Sequence, residues 1–330
     1  MTAANPHNYP LGRWLLDTLA KAQVPLIEKR SVLASWGFGY RLGEIGQFQC
    51  DLPSLYPHSE IWQCSGPLKC GQLGAAAFAG DDDFMLAEMQ LHEEEGGGLI
   101  RTSSDAYRRM MDYTLASGYP NLLRTWTYFS AINAGDGEAE RYKQFCVGRA
   151  RASVANEHLR QSDPAASVIG RVGSASPWLH MIWLAGKNPG KPIDNPRQQQ
   201  PRLYSNAYGQ EPPRFSRGML VSSARGHAIL ISGTASIVGE VSQHPKDLAA
   251  QFAESARNLE VVLGQAAYQL GVQASFGARS VLRAYVREEE RQFEVAALMQ
   301  QRFPNSSYCV LAGEVCRSEL LVELEAVHHF

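Results

Sequence analysis

His227–Gly239, HAILISGTASIVG, is the stretch whose reading decides the fold. A mostly branched apolar run, Ala228–Ser232, stops at Gly233, and a second apolar turn, Ala235–Val238, stops at Gly239. Backbone is thereby delivered to a point crowded with small residues, which reads as a pocket wall; an ordinary core strand and turn is the plainer alternative. Beyond it, Ser242–Pro245 reads as a loop with proline at a helix start. Leu248, Phe252, Leu259, Val262 and Leu263 then recur at helical spacing, predicting a helix over Asp247–Leu270 that Gly271 ends. A strand Arg279–Val286, a helix Glu288–Phe303 closed by Pro304, and a strand-like LLVELEA at Leu320–Ala326 complete this half.

The same order occurs upstream. Ser103 or Ser104 can cap a helix through Ala116 that exposes Arg108 and Arg109 and buries Tyr107, Met111 and Leu115. Gly118, a strand Leu122–Phe129, a loop Ile132–Gly137 and a helix Glu138–Val147 lead to Gly148–Arg149. Two helix, strand, helix series roughly 150 residues apart predict an internal duplication of one α/β unit. The expected division is an N-terminal α/β domain over 1–155 and a C-terminal one over 156–330 that carries most of the site.

Other segments are read more plainly. Residues 12–34 carry an amphipathic pattern, expected as a helix broken near Pro25. The glycines of Trp36–Phe48 lack the G-x-G-x-x-G spacing of a dinucleotide loop, so this is expected to be a turn-rich strand pair. Gly186–Lys191 reads as a turn, and Ala166–Val172 and Leu179–Ala185 as strands. The two acidic runs of Ala79–Gly98 repel within themselves and end in a triple glycine, which predicts a solvated hairpin or loop. Asn188–Pro213 is too polar for a core yet carries Tyr204 and Tyr208; a long irregular segment with aromatics is expected to cover a site.

With 330 residues and 45% hydrophobic composition the chain can build two cores. Lys and Arg total 31 against 33 Asp and Glu, a net charge of −2, so no basic excess argues for nucleic acid. An anionic small substrate stays open, because a pocket needs only a few local cations. The N-terminus has no basic stretch followed by an apolar one, and no long uninterrupted apolar window occurs. A soluble, cytoplasmic protein without membrane contact is expected. The six cysteines (Cys50, Cys64, Cys70, Cys146, Cys309, Cys316) form no CxxC and are expected as free thiols. His328–His329 read as a frayed tail, and no metal or other cofactor is expected.

Ile231–Gly239 with its following helix, Arg279–Val286, Phe303–Pro304 and Leu320–Ala326 resemble the reactive-intermediate deaminase superfamily, with three departures. Asn305, Ser306 and Ser307 stand where an arginine follows the Phe-Pro pair in those proteins. They are also less than half this length, and their SGQIP-like turn is SGTAS here. A broader resemblance runs through IRTSSDAYRRMM, LLRTWTYFSAIN, AERYKQFCVGR, DPAASVIG, DNPRQ, PPRFSR (212–217), SGTASIVG and CRSELLVELEA. Together these blocks resemble the chorismatase family, enzymes that remove the enolpyruvyl group of chorismate as pyruvate. The fold this implies is α/β (α+β): two deaminase-like or chorismate-mutase-like units with mixed sheets backed by helices.

Cleaving an acid-labile enol ether in a dianion needs a proton donor at the methylene carbon and cations for two carboxylates. A carboxyl held against apolar strands stays protonated through desolvation, and Glu323 fits that description. Glu325 shares its strand face, so periodicity leaves both open; the resemblance selects Glu323. It also implies Arg149, Arg217 and Tyr204 as carboxylate ligands, arginine being suited to bidentate recognition, while Arg124 and Arg141 are weaker candidates that brace the fold. Members that form 3-hydroxybenzoate, some with 4-hydroxybenzoate as a second product, resemble this chain in a cysteine seven residues before the terminal glutamate, which is Cys316. The type implied is the bifunctional one that feeds aryl-polyene pigment and ubiquinone synthesis. A hydrolytic chorismatase giving a dihydroxycyclohexadienoate is the alternative, and an imine deaminase or a non-catalytic sensor the alternative of another class. Gly233 and Thr234 are expected as the pocket floor opposite Glu323, with Ser232 near the ring, in a monomer or homotrimer.

Overall fold

The computed structural model describes residues 17–20, 32–38, 47–50, 52–55, 58–63, 67–155, 163–173 and 176–330. Strands β1 (Asp17–Ala20), β2 (Val32–Phe38), β3 (Gln47–Cys50) and β4 (His58–Gln63) form a four-stranded sheet in the order β1-β4-β2-β3. The helix expected over 12–34 is therefore a strand at 17–20, and the rest of that expectation lies outside the described residues apart from the start of β2. The strand pair expected at 36–48 exists as β2 and β3, but they run parallel, so a tight turn cannot join them.

The first repeated unit comprises β5 (Lys69–Leu73), β6 (Ala76–Gly80), β7 (Phe84–His92), α1 (Leu99–Ala116), β8 (Asn121–Ser130), α2 (Arg141–Ala155), β9 (Ala165–Arg171) and β10 (Trp178–Gly186). The second comprises β11 (Lys191–Ile193), β12 (Gly218–Ser223), β13 (Gly226–Ala235), the small hairpin β14 (Ile237–Val238) and β15 (Val241–Ser242), then α3 (Leu248–Leu270), β16 (Ser280–Val286), α4 (Gln292–Arg302), β17 (Ser307–Ala312) and β18 (Val322–His329). Their sheets run β5-β6-β7-β10-β8-β9 and β11-β12-β13-β18-β16-β17. Setting the small hairpin aside, this is one strand order used twice, with the parallel pair β8–β9 in one sheet matched by β16–β17 in the other. The internal duplication is thus written in the topology. A division at 155/156 would cut the first sheet, because β9 and β10 belong to it.

Period-two alternation builds the layers. Met85, Ala87, Met181 and Trp183 point outward to Tyr107 and Met111 of α1, while Leu86, Trp126 and Ile182 point inward. In the second sheet Ile229, Leu282 and Leu324 meet Phe252, Leu259 and Val262 of α3, while Leu230, Tyr285 and Leu311 face the first sheet. The result is two sheets face to face with helices on both outer sides. Asp247 caps α3 by accepting from the Ala250 N–H, and Gly271 ends it in the left-handed region at φ 68°. Gly148 lets α2 lie on α1, since a Cβ there would come within 2.7 Å of Ser103 Cβ.

Several expectations are corrected. Ala79–Gly98 is no solvated loop: β7 lies inside the first sheet between β6 and β10, its Phe84–Met89 run is apolar except for Glu88, and Asp81 is buried, accepting from the Phe84 N–H. The helix α1 begins at Leu99, so Ser103 is a buried interior residue and not a cap, while Leu115 faces solvent. His328 and His329 are no frayed tail. β18 pairs with β13 through both histidines and with β16 through His328, which is buried against the Ser280 hydroxyl. Burial, with the charges of Arg279 and His329, lowers the His328 pKa to about 4. Among the described residues no helix is long and apolar enough to cross a membrane.

Between the sheets runs a buried charge chain. Glu325 accepts from Arg124 Nη2 (2.7 Å), Arg283 Nη1 (3.0 Å), Trp126 Nε1 (2.9 Å) and the Ser167 hydroxyl. Arg283 Nε also donates to Glu60 (2.6 Å), which accepts from Trp62 Nε1 (2.8 Å). This chain ties β4, β8, β9, β16 and β18 together. Breaking such a network by removing one partner leaves uncompensated buried charge. Arg283→Leu is expected to destabilise the fold by about 3–5 kcal/mol, read as a fall in the thermal midpoint; an unchanged midpoint would show that the chain contributes no net stability.

Candidate active site

A cavity of about 280 Å³ opens where the two units meet. The edge strand β9 of the first unit lies against β13 of the second: Ser232 Oγ accepts from the Ala166 N–H (2.8 Å) and Ser167 Oγ from the Gly233 N–H (2.9 Å). The corresponding edge strand β17 is instead covered by residues 52–55, through Ala312 N to Pro53 O (2.7 Å) and Leu55 N to Val310 O (3.2 Å). Helix α2 supplies one wall, its Tyr142, Cys146 and Arg149 at i, i+4 and i+7 sharing a face. Gly233, Ala235, Cys316 and Glu323 supply the opposite wall.

Of the segment Asn188–Pro213 expected to cover a site, the part from Tyr204 to Pro213 lies on the cavity. Tyr204, Ala207, Tyr208 and Pro213 line the cavity. The segment is fastened at Ser205 N to Glu240 (2.7 Å) and Gln210 N to Glu138 (3.1 Å). Arg317 lies 3.7 Å from the Tyr208 ring centroid and 5.4 Å from that of Tyr204, with Nη1 bonded to Glu240 O.

Two arginines face this space almost fully buried. Arg149 is 6% exposed, with its guanidinium 5.0 Å from the Tyr107 ring centroid, and Arg217 is 3% exposed, 5.1 Å from that of Phe215. Arg217 Nη2 donates to Tyr204 Oη (2.7 Å) and Gln199 O (2.8 Å), which leaves the phenolic O–H of Tyr204 as a donor. Among the described residues neither arginine has a carboxylate partner, whereas Arg124 pairs with Glu325 and Arg141 with Glu93. Buried charge without a counter-charge is costly, so the cavity is built to receive an anion.

Glu323 and Glu325 both point between the sheets, yet their surroundings differ. Burial and, after it, the neighbouring Glu325 charge push Glu323 up to about 8 against the opposing charges of Arg124 and Arg217. Burial also opposes ionisation of Glu325, but Arg124, Arg283 and the hydrogen bonds from Ser167 and Trp126 prevail and hold its carboxyl below the usual range. At neutral pH Glu323 is therefore a neutral acid on the cavity wall and Glu325 a sealed anion behind it. Cys316 lies on the same wall, and burial with the Glu323 charge pushes its thiol up to about 12, so it stays protonated. Such a set can donate a proton to a bound anionic molecule.

The cavity thus gathers Glu323, Cys316, Arg149, Tyr204, Arg217 and Gly233. It does not gather Ser232 and Thr234, whose hydroxyls donate to Ser216 O and to Ser232 O respectively. Gly233 does not end its strand, which runs on to Ala235. The register against β18 shifts between Ile231 and Thr234, a bulge that returns Ala235 to the Glu323 face. Gly233 lies beside Glu323, not opposite: a Cβ there would overlap Glu323 Oε1 and come within 2.9 Å of Ser167 Oγ. Ser167, Tyr142, Lys143 and Arg317 also line the cavity without having been singled out. Arg317 had a signal, standing next to Cys316; Ser167 had none, because its role depends on strand β9 meeting another unit. Phe303 is outside the site, packed at the end of α4 against Phe252 and Phe276. Among the described residues no three His, Cys, Asp or Glu side chains converge as metal ligands.

Comparison with known proteins agrees with this architecture. Residues 60–185 match the family described as chorismatase FkbO/Hyg5-like, N-terminal. A chorismatase of Streptomyces rapamycinicus is 32% identical over 276 residues, covering 82% of this chain and 81% of that protein. A 3-hydroxybenzoate synthase of Streptomyces hygroscopicus is 29% identical over 284 residues, 83% and 82% of the two chains. The fold matches a chorismatase crystal structure with a TM-score of 0.83 at 24% identity, covering 97% of this chain and 100% of that one. The chain belongs to the chorismatase family and is an enzyme.

Proposed function

We propose that this enzyme converts chorismate to 3-hydroxybenzoate and pyruvate, with 4-hydroxybenzoate as a second product. The observation that carries the reading is the pair of buried arginines, Arg149 and Arg217, facing a cavity without carboxylate partners among the described residues, beside a neutral carboxyl, Glu323. Chorismate brings two carboxylates and an enol ether that is cleaved by protonation. The names of the relatives, chorismatase and 3-hydroxybenzoate synthase, support the same substrate.

Arg149 and Arg217, the latter with the Tyr204 hydroxyl, hold the two carboxylates. Glu323 transfers its proton to the enolpyruvyl methylene carbon, which becomes the methyl group of an oxocarbenium ion. The ring hydroxyl oxygen attacks the neighbouring ring carbon as that carbon's bond to the enolpyruvyl oxygen breaks, and the bonding pair leaves with pyruvate. The hydroxyl proton returns to the Glu323 carboxylate. Opening of the bridged oxygen and loss of the ring C–H proton then aromatise the ring. Substrate and the two products balance without water. Hydrolysis to the dihydroxycyclohexadienoate would need a water at the oxocarbenium carbon. Cys316, a partly exposed thiol, occupies cavity wall beside the acid and takes up space that such a water would need, which favours the internal route. The active site is assigned to this single cavity, with the small residues of β13 as its wall.

Incubation with chorismate should yield an aromatic product on chromatography, and Cys316→Ala should raise the share of the diol; a diol from the unaltered protein would establish the hydrolytic reading, and an unchanged ratio would remove Cys316 from product control. Chorismate that binds and raises the melting temperature without turnover would establish the sensor reading.

Glu323→Gln should cut pyruvate release by about 10²–10⁴-fold or more while leaving ligand affinity within a few-fold. Because the folded protein holds this proton up to about pH 8, well above the 4.5 of a free glutamate, stability should fall as pH rises between those limits and level off above. The Gln variant should therefore melt above the wild type at pH 8, a difference absent at pH 4. Retained turnover would move the acid elsewhere.

Gly233→Val should displace the Glu323 carboxyl and lower kcat/KM at least ~10-fold, with the fold kept by circular dichroism; unaltered kinetics would overturn the placement of Gly233.

A further inference from the structure

Two carboxylates on one strand face, two residues and roughly 7 Å apart, have opposite surroundings, and the difference is built from other elements. We propose that Glu325 is a positioning residue of the reaction, a fixed anion behind Glu323 that keeps the Glu323 carboxyl protonated until substrate takes the proton. The inference rests on the assignment of Glu323 as the acid.

Glu325 touches nothing in the cavity. Its oxygens are occupied by Arg124, Arg283, Trp126 and Ser167. Four donors, two of them guanidinium groups, hold it ionised in an almost fully buried position. As a brace, Glu325 pairs with the buried Arg124 and shares Arg283 with Glu60, and the same charge also acts on its neighbour along the strand. What Glu325 adds is a negative charge at a fixed distance from Glu323, in low-dielectric surroundings where like charge is felt strongly.

Ser167 links the two. Its hydroxyl donates to Glu325, accepts from Arg124 Nη2 (2.7 Å) and the Gly233 N–H (2.9 Å), and lines the cavity. Gly233 in turn lies against Glu323, so the anion's hydrogen-bond shell and the acid's seat share one backbone group. The other groups that face Glu323 are Tyr285 across β16, Cys316 and Tyr142, all neutral at pH 7, and Arg217 and Arg124, which oppose the effect of Glu325. Burial is the larger cause of the retained proton, and Glu325 adds to it; without the Glu325 charge no neighbouring anion would offset those two arginines, and the acid would lose its proton at a lower pH.

The test is the pH profile of pyruvate release from chorismate for the wild type, Glu325→Gln and Glu325→Asp. In Glu325→Gln the alkaline limb of kcat/KM should move at least one pH unit lower, with activity retained on the acid side; in Glu325→Asp, which keeps the charge, it should return toward the wild-type position. A folded Glu325→Gln with the wild-type limb would overturn the proposal. Carboxyl infrared spectra of 13C-glutamate-labelled protein need no turnover. At pH 7 Glu323→Gln should remove a protonated glutamate band, and Glu325→Asp, which takes the label away from that position, should remove none; loss of a protonated band in Glu325→Asp would overturn the proposal even if Glu325→Gln fails to fold. Absence of chorismate turnover by the wild type would sink the functional reading instead, leaving the spectroscopic result to decide the role of Glu325.

Discussion

The ion cluster around Glu325 is the interaction on which the rest depends. Two sheets packed face to face would ordinarily meet through apolar side chains alone, and most of this interface does so through Trp126, Ile182, Leu230 and Leu311. At one end the pattern changes to Arg124, Arg283, Glu60 and Glu325, each at most 5% exposed. A buried set of this kind tolerates little displacement, because every lost contact leaves a charge without solvent. It therefore holds β8, β9, β16 and β18 in one relative position, and the cavity is bounded by two of those four strands.

Duplication explains where this cavity lies between the two units. Each unit has a corresponding edge strand, β9 in the first and β17 in the second, lying last in the same strand order. An open edge carries unpaired backbone groups that must find partners. Residues 52–55 satisfy β17 with backbone hydrogen bonds, while β9 finds its partners in the side chains and backbone of β13 and the Ser216 region. Side-chain bonding takes the place of a full ladder between β9 and β13. The cavity is the space left between units that touch without forming a continuous sheet.

Charge placement then divides labour among residues of one type. The chain's arginines near the site serve different ends: Arg124 and Arg283 neutralise Glu325, Arg317 stacks on the tyrosines of the covering segment, and Arg149 and Arg217 keep their charge for a ligand. The same holds for the carboxyls of β18. Chemical identity is constant across each set, and the surroundings assign the role.

Much of this was legible in the residues. The helical spacing of Leu248–Leu263, capped by Asp247 and ended by Gly271, needs only local geometry, and so does the alternation in Leu282–Val286. The repeated order of elements was readable for the same reason, and so was the covering role of a polar segment bearing Tyr204 and Tyr208. Family resemblance, rather than periodicity, drew Arg149, Arg217, Glu323 and Cys316 together. What the chain could not reveal by itself were properties that depend on distant neighbours. β7 looked solvated because its flanking acidic runs dominate the local composition, although the sheet buries it. His328 looked frayed because its strand's two partners lie 48 and about 100 residues away in the chain. The choice between Glu323 and Glu325 belongs to the same class: adjacent positions on one strand face carry identical local information. Only the packing of β8, β9 and β16 places four donors on one carboxyl and none on the other, because desolvation and charge pairing act across space and not along the sequence.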